Sequence, residues 1–449
     1  MAMAIDPGQT GTAVPGGRWS RLARLGSLAG GVAGNMLAEG ARQFIQGKRP
    51  TVHDLLLTPG NARRLAGQLA QLRGAAMKVG QLLSMDAGEL LPPELTEILS
   101  RLRADAIPMP MSQVVAALEA NWGTGWDRHF QQFSFTPVAA ASIGQVHFAQ
   151  RKDGRHLAIK IQYPGVRQSI ASDVDNVATL LRLSGLLPKS LDIKPLLDEA
   201  KRQLHDEADY RREGACMMQF GRLLTTTGEF LLPEMHADLT TESILAMTRL
   251  DGVALESLVS LEQDERDRLV SQLFSLLFRE LFEFKLIQTD PNFANYQYAR
   301  ASRQIILLDF GATRAYGNAM VAAYRRLMRA AIAGDRDEMN EAAQDIGYFQ
   351  ADITAHQRQQ VLDIFALACE PLRHDGVYAF GNSDLGARIR DAGMVLGRDR
   401  DFWHTPPADA LFLHRKLGGL YLLAAKLKAR IAVRDIALHA LSGSISELS

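Results

Sequence analysis

Apolar positions set the first divisions of the chain. Leu65, Leu69, Leu72, Met77 and Leu82 recur at helical spacing behind Asn61, a capping residue, and predict a helix from Asn61 to Met85. Pro93, a favourable first-turn residue, opens a second helix to about Arg103. No strand pattern occurs from residue 18 to 125. The period then changes. Phe133 to Phe135, Gly144 to Gln150 and His156 to Gln162 alternate or run apolar, and Lys152-Asp153-Gly154-Arg155 makes a turn between the last two, which predicts an antiparallel meander. A long helix is predicted from Lys194-Pro195 to about Leu224, then short strands at Phe230 to Pro233 and Ser243 to Thr248. Beyond Gly252 the pattern is helical. It is interrupted by a hairpin-like piece around Asn295 to Phe310, where Ile305-Ile306-Leu307-Leu308 reads as a buried strand.

Composition sharpens this division. Residues 1–17 are rich in Gly, Pro, Thr and Ala and predict a disordered tail. A helical extension over 18–125, a meander with a long helix over 126–250 and a helical region over 251–449 follow. A chain of 449 residues suits two or three such domains. Fifty basic residues balance fifty acidic ones, which gives no whole-chain reason for nucleic-acid binding. The balance is uneven along the chain. Ten basic residues face three acidic ones in residues 1–78, a net +7, so the remainder carries −7. Gly26, Gly30 and Gly34 lie in that basic stretch, either as a helical ridge open to a lipid chain or second backbone, or as a loose linker. Two cysteines exclude a disulfide framework or zinc cluster and favour a reducing compartment. The charge-free run Leu25 to Ala38 is shorter than a membrane span, and the later apolar helices are interrupted by charge, so no transmembrane segment is expected.

Familiar catalytic signatures fail in turn. Gly123-Thr124-Gly125 has arginine at 128 where a dinucleotide fingerprint needs glycine, and Gly47-Lys48-Arg49 lacks the Ser or Thr of a Walker loop. No G-x-S-x-G or H-E-x-x-H occurs, and His129, His147 and His236 read as structural or surface residues. An ordered series does stand out. Leu157-Ala158-Ile159-Lys160 ends a strand with a lysine, Glu207 and Glu213 lie on the following long helix, Asp290 and Asn295 stand five apart just after an apolar helix, and Asp309-Phe310-Gly311 closes a buried strand. A lysine on a rigid strand can neutralise α/β-phosphates. A glutamate on a packed helix can hold that lysine. An aspartate and asparagine at D-x-x-x-x-N spacing can face phosphates from one loop, and the aspartate of Asp-Phe-Gly is a hard oxygen ligand for Mg²⁺. In this order they are the parts of a protein-kinase-like nucleotide site.

Further motifs resemble the AarF/UbiB atypical kinase-like family, tied to ubiquinone biosynthesis. They are Lys78-Val79-Gly80-Gln81 (K-x-G-Q), the alanine-rich run Ala139 to Ser142 followed by Ile143-Gly144-Gln145-Val146-His147, Glu207-Ala208-Asp209 (E-x-D), and Gln288 to Asn295, where Gln-Thr replaces the usual His-Arg. The similarity spans about Arg18 to the C-terminus. It implies an α+β, bilobal protein-kinase-like fold with a family-specific N-terminal helical extension. ATP or ADP with Mg²⁺ would be the cofactors. Lys160 would bind phosphate and pair with Glu213. Asp290 would be the catalytic-loop aspartate, and Asn295 with Asp309 would hold the metal. Ala139, Ala140, Ala141, Ser142 and Ile143 would cover the nucleotide, and Met247 to Asp251, including Leu250, would meet adenine. Lys78 and Gln81 share one helix face and would reach Glu207 and Asp209.

The resemblance also implies a function: an ATPase or atypical kinase supporting ubiquinone biosynthesis. It would be cytoplasmic and peripheral on the inner membrane, with a polyprenyl or quinone-precursor lipid and an anionic surface as partners. A homodimer and ubiquinone-biosynthesis enzymes are further expected partners, and nucleic acid is not. The competing readings are a nucleotide-binding scaffold or lipid-extraction pseudokinase, a Ser/Thr protein kinase, and an aminoglycoside-phosphotransferase-like kinase. The short run from Asp-Phe-Gly to the next helix leaves no long activation loop.

Overall fold

A computed structural model describes residues 108–183, 193–225, 228–290, 292–349, 353–397 and 406–442, with 72, 74–76 and 78–80. The expected tail, the Gly26/Gly30/Gly34 ridge, the helix from Pro93, Gln81 and most of the helix over 61–85 lie outside the described residues. Residues 74–76 and 78–80 are helical.

The smaller lobe is built on the alternating segments. After α1 (Met111–Trp122), strands β1 (Phe130–Phe133), β2 (Ala139–Ala140), β3 (Gly144–Arg151) and β4 (His156–Gln162) form an antiparallel sheet with a later strand, β6 (Ile244–Thr248). The order is β1-β3-β4-β6, with β2 added on β3. The β3–β4 turn works as its residues predict. Gly154 takes the left-handed conformation at φ 90°, and the Asp153 carboxylate accepts the Arg155 amide at 3.1 Å. One sheet face closes over Val114, Leu118, Trp126, Leu157, Ile159 and Ile244.

Behind β4 come α2 (Val166–Leu183), α3 (Lys194–Glu207) and α4 (Tyr210–Leu224). Here the single long helix expected from Lys194 to Leu224 is corrected. The chain breaks at Ala208-Asp209, where Asp209 leaves helical geometry at φ −111° and its carboxylate caps α4 by accepting the Arg212 amide. Gln162 reinforces the break by donating to the Ala208 carbonyl at 2.9 Å.

A second sheet runs β5 (Phe230–Leu231), β10 (Gln304–Leu307), β9 (Tyr296–Ala299), β7 (Val253–Ala254), with β9 and β10 as the expected hairpin. The apolar helix α5 (Gln263–Arg279) does not lead straight to Asp290. A π-turn (Glu280–Phe284) and strand β8 (Leu286–Gln288) intervene, and β8 pairs with β11 (Thr313–Ala315), a strand the apolar pattern missed. The larger lobe is completed by α6 (Asn318–Ala333), α7 (Arg336–Ile346), α8 (Ala355–Ala368), α9 (Glu370–Arg373), the β12–β13 pair (Tyr378–Ala379, Arg430–Ile431), α10 (Leu385–Gly397), α11 (Ala408–Lys426) and α12 (Val433–Ser442). Its core gathers Phe274, Leu277, Phe310, Leu327, Phe365 and Leu423. Among the described residues no helix is long and apolar enough to cross a membrane.

Candidate active site

Lys160 points out of β4 into the space between the lobes, and α4 carries Glu213 to meet it. Its ammonium donates to both Glu213 oxygens, at 2.8 and 2.9 Å, and stands 3.5 Å from Asp309. The Tyr210 ring lies 5.1 Å from the same nitrogen. Burial opposes the lysine charge, but Asp309 and Glu213 outweigh it and hold its pKa well above the ordinary value. Burial pushes Glu213 up to about 7, against the pull of Lys160. Burial works against the Asp309 carboxylate as well. Lys160, the Gly311 amide and Lys78 overcome it and hold that pKa below the usual range.

The break between α3 and α4 has a consequence here. On one continuous helix Glu213 would lie about 240° around the axis from Glu207, so the two would diverge by about 120°. The kink brings both to the site by separate routes. Glu207 pairs with Lys78, and its Oε2 accepts the Ser142 hydroxyl at 3.0 Å. Asp209, expected beside Lys78, serves instead as the α4 cap.

The alanine-rich run folds into a tight hairpin. Ala139 pairs with Val146 and Ala140 with Gln145, and the Ala141 amide reaches the Gly144 carbonyl at 2.9 Å. Ile143 is buried against the helical residues around Gly74, where an added Cβ would stand 3.1 Å from the Ser142 carbonyl. Glycine at 74 therefore lets that helix lie directly on the loop. Met247 sits in β6 opposite Ala158, and Leu250 is half-buried just beyond that strand.

Across the cleft, Asn295 Nδ2 donates to Asp290 Oδ2 at 2.9 Å, and its backbone carbonyl accepts the Leu308 amide at 2.8 Å. That bond sets the loop from Asp290 to Asn295 beside the strand end leading to Asp309. Gln288 and Thr289, in the places usually held by His-Arg, fasten the next segment. Gln288 Nε2 donates to the Asp309 carbonyl at 3.2 Å, and Thr289 Oγ1 to the Ala312 carbonyl at 2.7 Å. Asp309 has φ 60°, a left-handed conformation unusual for a residue with a side chain, and its Oδ1 accepts the Gly311 amide at 3.1 Å.

Sequence reasoning missed two participants. Arg212 donates to the Gly311 and Thr313 carbonyls at 2.9 and 2.6 Å. Arg415 of α11 comes 3.9 Å from Asp290. Ser142, expected over the nucleotide, also ties the alanine-rich hairpin to Glu207. The arginines carry no motif, because each acts on backbone or across a long sequence separation.

The two lobes and this cleft define a protein-kinase-like molecule of an atypical kind. Residues 101–343 match the ABC1 atypical kinase-like domain. The chain is 39% identical over 425 residues to the mitochondrial atypical kinase COQ8B of Rattus norvegicus, covering 94% of this chain and 80% of that protein. It is 36% identical over 423 residues to the mitochondrial atypical kinase COQ8 of Saccharomyces cerevisiae, covering 94% and 84%. Among solved structures it is similar to Rv3197 of Mycobacterium tuberculosis, determined with erythromycin, at TM-score 0.57 and 24% identity over 84% of this chain and 95% of that one, a likeness of fold. The chain belongs to the ABC1 atypical kinase-like family and is an enzyme of the ATPase or atypical kinase class.

Proposed function

We propose that the protein is an Mg·ATP-dependent ATPase or atypical kinase that supports ubiquinone biosynthesis, acting peripherally on the cytoplasmic face of the inner membrane, on or near a polyprenyl-phenol-like lipid. The observation that carries the reading is Lys160 held charged between Glu213 and Asp309. A buried ammonium so placed can take α/β-phosphates without rearranging. Lys160 would bind those phosphates beneath the hairpin of Ala139 to Ile143, with the backbone from Met247 to Leu250 along the adenine. Asp290 would orient the acceptor hydroxyl, or water, and take its proton, while Asn295 fixes the Asp290 carboxylate.

The donor set fits Mg²⁺. Among the described residues no group of three or more His, Cys, Asp or Glu forms a metal cage. Asp309 and the Asn295 amide oxygen offer hard ligands, and Mg²⁺ commonly takes one or two carboxylates with phosphate oxygens and water. Bound there, the metal would supply positive charge to the β- and γ-phosphoryl oxygens. The link to ubiquinone draws support from the names of the relatives.

ATP turnover measured with and without anionic liposomes and a quinone-precursor mimic, on wild type and Asp290→Asn, tests the reading. Turnover should rise with the lipid components and be lost in Asp290→Asn. The scaffold reading has its own supporting contact, because Lys78 and Glu207 tether a helix against the alanine-rich hairpin. Full ubiquinone synthesis in cells carrying Asp290→Asn, with turnover abolished in vitro, would favour it.

A further inference from the structure

Arg212 occupies a position that neither the motifs nor the family resemblance explains. It lies in the first turn of α4, one residue before Glu213. Its half-buried guanidinium reaches across to the segment after Asp309, with Nη1 on the Gly311 carbonyl and Nη2 on the Thr313 carbonyl. Asp206, at the end of α3, stands 4.0 Å from its remaining nitrogen. A planar fork spanning two carbonyls is a task for arginine. A lysine ammonium is a single point and holds one of them at a time.

Two further side chains, from the end of β8 and the residue after it, reach this segment. Gln288 holds the Asp309 carbonyl, and Thr289 holds that of Ala312. Residues 309–313 are thus gripped from both lobes. The grip is needed, because Asp309 is held in a left-handed conformation that a free chain would leave. Glu213, next to Arg212 on the same turn, sets the Lys160 ammonium.

We propose that Arg212 is a positioning residue that makes one helical turn set both the phosphate lysine and the metal-facing aspartate. Lys160 is held through Glu213 and Asp309 through Arg212, so displacement of α4 disturbs both together. The segment after Asp-Phe-Gly is ordered by side-chain bonds to its own carbonyls and needs no phosphorylated residue to order it. This rests on the Mg·ATP reading for its consequence at the metal, and on the two arginine hydrogen bonds alone for the clamp.

The experiment has two arms on the full chain, using Arg212→Met and Arg212→Lys. In nucleotide-free protein, hydrogen exchange of the amides at 311–315 should quicken about tenfold or more in Arg212→Met, with Arg212→Lys between it and wild type, as expected when a local clamp is released. In ADP titrations, the Mg²⁺ concentration for half-maximal binding should rise about tenfold, the usual effect of losing a support behind a metal ligand. Metal-free ADP binding should stay within about twofold, since Arg212 touches none of the residues assigned to the nucleotide itself. Unchanged exchange, or an unchanged Mg²⁺ midpoint in a wild type that shows one, overturns the assignment. A wild type with no Mg²⁺-dependent ADP binding overturns the function reading and the consequence at the metal, and the exchange arm then decides the clamp alone. Should Arg212→Met fail to fold, Arg212→Lys carries both arms under the same criteria.

Discussion

Replacing Glu213 with Gln preserves the shape of the side chain and removes its charge, which strands Lys160. The two side chains are 9% and 3% exposed, so water cannot stand in for the lost partner. Breaking a buried pair by removing one member typically destabilises by about 3–5 kcal/mol, because the other charge is left uncompensated. Asp309 remains 3.5 Å from the ammonium, so the expected cost lies near the bottom of that range, about 3 kcal/mol. Lys160→Met leaves Glu213 and Asp309 without their shared cation and should cost a similar amount. The double variant strands no charge within the pair. Its cost should fall short of the sum of the singles by about 2 kcal/mol, a coupling expected of residues in direct contact. Urea unfolding of the four proteins near neutral pH, followed by tryptophan fluorescence, closes the cycle. Costs that add to within about 0.5 kcal/mol would refute the account of a mutually dependent buried pair.

Three other expectations follow from buried groups. His147 is wholly enclosed, and burial lowers its pKa from 6.5 to about 4, with the Ser134 carbonyl opposing. The folded state keeps it neutral while the unfolded chain takes up a proton below 6.5. Its contribution is therefore complete above that pH and declines by about 3 kcal/mol as pH falls to 4. His147→Gln should show a flatter loss of stability between pH 7 and 5, and equal slopes would contradict this. Gly144→Ala would place a Cβ 2.3 Å from the Ile161 carbonyl oxygen and 2.8 Å from the Tyr210 hydroxyl. It should cost at least about 1–3 kcal/mol in an unfolding titration and weaken nucleotide binding, and an unchanged midpoint would contradict it. Glu280 and Lys416 form a buried pair in the larger lobe, where burial raises the glutamate to about 7 and lowers the lysine. Replacing both, as Glu280→Leu with Lys416→Met, should be neutral or stabilising by about 1–4 kcal/mol while either single change destabilises. Thermal melts distinguish these outcomes.

What the sequence disclosed was carried by periodicity and by side chains that act on other side chains. The alternation in β3 and β4 and the apolar run of β10 gave the sheets. Lys160, Glu213, Asp290, Asn295 and Asp309 stood out because their types and order match one chemistry. The break at Ala208-Asp209 was hidden because α3 and α4 each keep an amphipathic pattern. The one local sign is Asp209 itself, an aspartate placed to cap, which the family resemblance pairs with Lys78 instead. Strands β8 and β11 are three residues each, too short for a period to register. Arg212, Gln288 and Thr289 act on backbone carbonyls, which leave no trace in residue identity at the receiving end.

Asp309 is proposed to face a metal that nucleotide brings to Lys160. Calorimetric titration of ADP into wild type and Asp309→Asn, each with and without Mg²⁺, tests it most directly. The account predicts that Mg²⁺ tightens binding to wild type and that Asp309→Asn loses this dependence while still binding metal-free ADP. Binding indifferent to Mg²⁺ in wild type, or a full metal dependence kept by Asp309→Asn, would contradict it.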